Sequence, residues 1–152
     1  MPSPEAAIAK CAAGTLRRAT RSVARIYDTR LARAGLTTTQ FSILRALERH
    51  ETPVPLAELA EELVFERTSL YRALGPLCRE RLVEVSDRSP RAKQAALTPK
   101  GVRRIARALP LWTAAQEDFL ARFGRAPWND FAARLVEIVD IARTMPAGDG
   151  AP

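Results

Sequence analysis

Apolar positions recur at three- and four-residue steps through most of this 152-residue chain, and those steps predict helices. Ile8, Ala12, Leu16, Ala19, Val23 and Ile26 mark the inner side of a long helix over residues 5–34, with arginines on the opposite side. Gly35 then fits a helix C-cap. In "LTTTQFSILRALERH", Thr37 is an N-cap, Gln40 three residues on completes a capping box, and Phe41, Leu44 and Leu47 form the buried stripe. "ETPVP" stops this helix, and its two prolines make a turn or a very short edge strand. "LAELAEEL" is a short helix at 56–63. The following helix covers 66–80 and turns Leu70, Leu74, Leu77 and Cys78 inward. Gly75 and Pro76 inside it predict a kink or an early end.

The period then switches to two. "LVEVS" (82–86) and "QAALT" (94–98) alternate as strands do, and the charged, proline-bearing turn "DRSPRAK" joins them into a hairpin. Thr98 as N-cap and Pro99 in the first position open a helix that continues to Phe123, with a bend expected at Pro110. A last helix follows over "RAPWNDFAARLVEIVDIAR", and residues 144–152 read as a flexible tail. The predicted fold class is mainly α with a small β-hairpin wing (α+β). Short helix, turn, second helix and basic hairpin, in that order, make a winged helix-turn-helix over 37–98. No repeat or long linker divides the chain, so 1–152 reads as a single domain.

Charge sharpens this picture. The net charge is +7, and its largest part lies at residues 66–107, where eleven Lys/Arg stand against four Asp/Glu. Residues 46–62 are acidic instead, with Glu58, Glu61 and Glu62 on the exposed face of the motif's first helix. The second helix displays Arg67, Thr68, Ser69, Tyr71 and Arg72 opposite its leucines. A helix has about the width of the major groove of DNA. Arginine there reaches guanine bidentately, and hydroxyls reach bases or phosphates. Arg88, Arg91 and Lys93 of the wing suit phosphates or a narrow minor groove. Arg17, Arg18, Arg21 and Arg25 read as a solvated or ion-paired face of the first helix.

Other chemistry has little support. His50 is the only histidine; it ends a helix, where a cation suits the dipole, and lacks partners at metal-ligand spacing. With no C-x-x-C and no Gly-rich phosphate loop, no metal, cofactor or catalytic constellation is expected. No run of 18 apolar residues exists and the start has no basic segment ahead of an apolar one, so a cytoplasmic, membrane-free protein with Cys11 and Cys78 reduced is expected.

"GLTTTQFSILRAL", "LAELAEEL", "ERTSLYRAL", "LVEV", a charged wing and "LTPKG", in this order and spacing, resemble the MarR family of bacterial transcriptional regulators over residues 10–143. The resemblance implies a ligand-responsive repressor that binds pseudo-palindromic double-stranded DNA as a homodimer. It implies that 5–34 and 99–143 form the helical dimerisation region, and Trp112, Phe119, Phe123, Trp128, Phe131, Leu135 and Ile138 supply more apolar surface than one small bundle needs. It also implies a cleft for a small aromatic or lipophilic effector, for which Ile26, Tyr27, Phe41 and Trp112 are candidates. Two departures stand out: Arg81 replaces the glycine usual before the strand, and Ser89 and Pro90 interrupt the wing's basic pair. Two alternatives remain at this stage. One is a winged-helix protein-interaction module without DNA readout. The other is a thiol-based redox-sensing regulator acting through Cys11, with Tyr27 only loosely in the matching position.

Overall fold

The computed structural model describes residues 11–89 and 92–145, apart from the side chains of residues 88 and 89. Its elements are α1 (Ala12–Leu31, followed by a 3-10 turn Ala32–Ala34), α2 (Thr38–Glu48), β1 (Val54–Pro55), α3 (Leu56–Glu62), α4 (Arg67–Arg79), β2 (Val83–Ser89), β3 (Ala92–Leu97), α5 (Pro99–Phe123) and α6 (Arg125–Thr144). The chain divides into two compact units, Met1–Ala115 and Gln116–Pro152, and α5 belongs to both.

In the first unit α2 is the central helix. Its N-terminus is closed by the expected capping box: the Thr37 hydroxyl accepts from the Gln40 N–H, and the Gln40 side chain accepts from the Thr37 N–H. Asp28 of α1 accepts from both the N–H and the hydroxyl of Thr38 at 2.6 Å, which fastens α1 to α2. Phe41, Ile43, Leu44, Ala46 and Leu47 are all buried, a wider face than a single stripe because helices and sheet cover α2 on several sides. α1 behaves otherwise. Only Tyr27 and Leu31 are buried, whereas Ala12, Ala19 and Ile26 of the expected stripe are exposed and Leu16 and Val23 half-buried. Ile8 lies outside the described residues. Within this unit the core meets only the C-terminal part of α1, so an apolar period there marks a face without covering it.

β3 is the middle strand of an antiparallel sheet of order β1-β3-β2. β1 is the expected short edge strand, pairing Val54 with Ala95 and Pro55 with Gln94; a proline, having no N–H, is tolerated at an edge. The hairpin strands run further than their alternation indicated. Asp87, Arg88 and Ser89 belong to β2 and Ala92 and Lys93 to β3, with a bulge between Asp87 and Ser89. Cross-strand pairing thus takes up most of what reads as a turn, and the tip at 90–91 lies outside the described residues.

α4 continues through Pro76 to Arg79 rather than ending early. Proline removes one hydrogen bond from the helix and clashes with the Cβ of the residue before it. Here that residue is Gly75, which has no Cβ, and the buried Leu74 and Leu77 hold both sides of the break. The helix closes with the Leu82 N–H on the Leu77 carbonyl and the Arg81 N–H on the Cys78 carbonyl, both at 2.9 Å. This Schellman closure needs a left-handed residue, and Arg81 supplies it at φ 58°. α3 closes in the same way: Phe65 N–H bonds Ala60, Val64 N–H bonds Glu61, and Val64 sits at φ 54°.

Thr98 caps α5 as expected, accepting from the Gly101 N–H at 3.0 Å and donating to the Arg81 carbonyl at 2.8 Å. α5 then runs unbroken past Pro110 to Phe123. The second unit comprises the end of α5 and all of α6. Phe119, Phe123, Trp128 and Phe131 cluster there, with Phe119 and Trp128 edge to face at 5.2 Å. α6 buries no residue.

Candidate functional site

The polar face of α4 is built by the leucines behind it. Leu70, Leu74 and Leu77 are buried, which turns Arg67, Thr68, Ser69, Tyr71 and Arg72 to the outside, and all five are exposed. Burying each leucine is worth about 1.5–3 kcal/mol, so the orientation of the polar face is secured by the core. Tyr71 keeps 43% of its surface exposed, unusual for so large a ring and consistent with a contact surface. Glu66 makes no side-chain cap, so the first N–H groups of α4 stay unpaired by a capping side chain.

Some cations of this unit are ion-paired and others are not. Arg45 pairs with Glu48, Arg49 with Glu62, and Arg104 with Glu80. Arg67 and Arg72 have no carboxylate partner among the described residues, and neither has Lys93 on the wing. Arg17, Arg18, Arg21 and Arg25 are likewise exposed, with no carboxylate partner among the described residues. Lys93 is exposed and stands across from Asp87 in the hairpin register. Arg88 lies in β2 beside the bulge, but its side chain is outside the description, as is Arg91 altogether.

A separate cleft of about 340 Å³ opens beside α2, lined by Phe41, Ser42, Arg45, Arg49, Leu63, Leu109 and Trp112. Of the four residues expected in a cleft, Phe41 and Trp112 line it. Tyr27 and Ile26 do not: Tyr27 is buried with its ring 6.3 Å from that of Trp112, and burial raises its phenol pKa, while Ile26 faces out. Arg45 and Arg49 were missed by reading for aromatics, although a four-residue step from Phe41 places both on its side of α2.

At the end of α3, Glu62 receives Arg49 on one carboxylate oxygen, and His50 Nε2 lies 2.9 Å from the other. These contacts, His50 first, hold the Glu62 carboxyl below the usual carboxylate range. Cys11 is exposed at the start of α1, and Tyr27 stands sixteen positions further along, about 24 Å of helix. Cys78 is half-buried and its thiol is pushed up by burial, which suits a packing role. Among the described residues no three or more His, Cys, Asp or Glu gather as metal ligands, and no helix is long and apolar enough to cross a membrane.

A family model described as the MarR family matches residues 34–95, from the turn before α2 to the middle of β3. No curated protein matches the chain. Among solved structures, the transcriptional regulator MosR of M. tuberculosis is 34% identical, with 90% of this chain and 98% of that one covered at a TM-score of 0.78. MosR in complex with DNA aligns at the same 34% identity, covering 88% and 99% of the two chains at a TM-score of 0.76. CouR of Rhodococcus jostii, bound to p-coumaroyl-CoA, shares the fold at 19% identity, covering 86% and 92% at a TM-score of 0.73.

Proposed function

This chain belongs to the MarR family of transcriptional regulators, and from that premise we propose that it is a homodimeric repressor that reads double-stranded DNA through α4. The observation that carries the reading is the α4 face: two arginines and three hydroxyl-bearing side chains, exposed, the arginines free of carboxylates among the described residues, and held outward by buried leucines. MosR, the 34% identical relative, has been solved in complex with DNA, which supports the same use here. Arg67 and Arg72 meet base edges or phosphates in the major groove, Thr68, Ser69 and Tyr71 hold register, and Lys93 with Arg88 and Arg91 lies against the flanking minor groove. Two copies related by a twofold axis set their α4 helices about 34 Å apart on a pseudo-palindromic site. Such a regulator works where bacterial DNA is, in the cytoplasm, and its fold belongs to regulators rather than enzymes.

The cleft beside Phe41 and Trp112 is the place for a small aromatic or lipophilic effector. An effector acts by preferring dimers whose α4 helices are misspaced for DNA, and it weakens binding only by as much as that preference. Selecting duplexes from a random pool tests the core of the proposal: wild type should recover a two-fold-symmetric sequence with half-sites one helical turn apart. The Arg67→Ala/Arg72→Ala protein should bind that sequence at least about tenfold more weakly, the loss of one or two good contacts at about 1–3 kcal/mol each. Equal affinity of the two proteins would reject α4 as the reading element. Absence of any salt-sensitive affinity for duplex DNA would favour the protein-interaction alternative.

A further inference from the structure

The cluster of Arg49, His50 and Glu62 lies outside the DNA-reading face, yet it sits at the root of the segment that carries it. Glu62 is the last residue of α3, while Arg49 and His50 directly follow α2. One carboxylate therefore ties the end of α2 to the end of α3. Glu66, the N-cap of α4, comes four residues later. The connection between them has little freedom. Val64 is held left-handed, its N–H and that of Phe65 return to α3 at 3.2 and 2.8 Å, and Phe65 packs against the core. A displacement of the last turn of α3 is thus carried straight to Arg67, Thr68 and Ser69.

We propose that Glu62 is a positioning residue for the α4 face and that His50 makes its grip depend on protonation. The inference rests on the reading of α4 as the DNA-contacting helix. Histidine is the side chain whose ordinary titration lies near neutrality, and His50 is the only one in the chain. Among the described residues, the charged groups placed beside it are Glu62 from α3 and Glu48, Arg49 and Glu51 from its own segment. β3 and α5 present only Ala96, Leu97 and Val102 to the neighbouring hollow. Neutral His50 offers Glu62 a hydrogen bond; protonated His50 adds a full opposite charge to that bond and strengthens it. The low-lying carboxyl of Glu62, due first to its hydrogen bond with His50, agrees with that contact.

Hydrogen exchange at Leu63, Phe65 and the first turn of α4 measures the grip without DNA. After correction for intrinsic rates, wild type should open about threefold less at pH 6 than at pH 8, the size of effect a partly exposed ion pair exerts. His50→Gln should lose this difference, and Glu62→Gln should exchange faster at both pH values. The consequence is read as the ratio of affinities for a selected duplex and a scrambled duplex of equal composition, which cancels the general attraction of added charge to phosphate. That ratio should rise on acidification in wild type and stay flat in His50→Gln. The same pH response of exchange in wild type and His50→Gln overturns the proton-dependent grip. Altered exchange with an unaltered affinity ratio overturns the positioning role. If wild type binds neither duplex at low salt, the DNA reading itself fails, and with it the positioning role, while the exchange data still decide the grip.

Discussion

Val64 and Arg81 occupy the left-handed position that closes α3 and α4, the place Gly35 fills after α1 at φ 70°. A left-handed residue other than glycine costs about 1–2 kcal/mol, and a β-branched one tolerates the region least. Val64 is also 62% exposed, so it recovers little by packing. Val64→Gly should therefore raise stability by about 1 kcal/mol, after allowing for the greater freedom glycine brings to the unfolded chain. Urea denaturation measures this directly, and a lowered midpoint would show that the valine side chain stabilises the turn after all. Glu62 makes a second, pH-dependent prediction. Its folded-state pKa is depressed, so its ion cluster stabilises the protein above the ordinary carboxylate range, and that contribution is lost as acid protonates the group. Between about pH 5 and pH 3, wild type should lose more stability than Glu62→Gln. Parallel acid limbs in the two proteins would mean that the pair contributes nothing in solution.

Among the elements, the start of α5 is the least forgiving. A Cβ on Gly101 would lie 2.3 Å from the Leu82 carbonyl oxygen and 2.6 Å from Leu97 Cδ1. The tighter of the two contacts is with the Leu82 backbone, which cannot yield by a change of rotamer. Gly101→Ala should destabilise the fold by about 2 kcal/mol or more, despite alanine's better helix propensity. A thermal midpoint equal to wild type would show that α5 can shift without loss. The sequence signals that held were of this local kind, where one residue's chemistry meets one backbone need: Thr37 with Gln40, Thr98 with Pro99, and the alternating strands. Signals that depend on neighbours held less well. The apolar period of α1 identified a side but not how much of it is covered, and Pro76 looked like a helix end because the relief offered by Gly75 and the buried leucines is tertiary. The α4 face was legible because leucine spacing alone decides what points outward. The cleft was only half legible, since Arg45 and Arg49 are ordinary helix-surface residues until Leu63, Leu109 and Trp112 come to stand beside them.

At the scale of the whole molecule, α6 poses the remaining energetic question. It is 20 residues long and buries none of them in the single chain, while Phe131, Val136, Ile138 and Ile141 remain exposed, Ile141 by 58%. Ordering each residue costs about 1–2 kcal/mol of backbone entropy, and a helix of this length with little packing beyond the Trp128 and Phe131 ring contacts is marginal in water. Exposed aliphatic side chains at 138 and 141 instead offer apolar surface to a second copy, where each Å² covered returns about 25 cal/mol. The proposed dimer supplies that cover, and it also makes DNA binding bivalent, because two α4 faces engage one site. Ile138→Asp/Ile141→Asp should then yield monomers by sedimentation at concentrations where wild type is dimeric. It should lower the thermal midpoint and remove the wild type's dependence of that midpoint on protein concentration. Affinity for the symmetric duplex should fall far more than affinity for a single half-site, which one α4 face reads alone. A wild-type protein that sediments as a monomer while binding the symmetric site tightly would break the link between the uncovered helix and the paired reading heads.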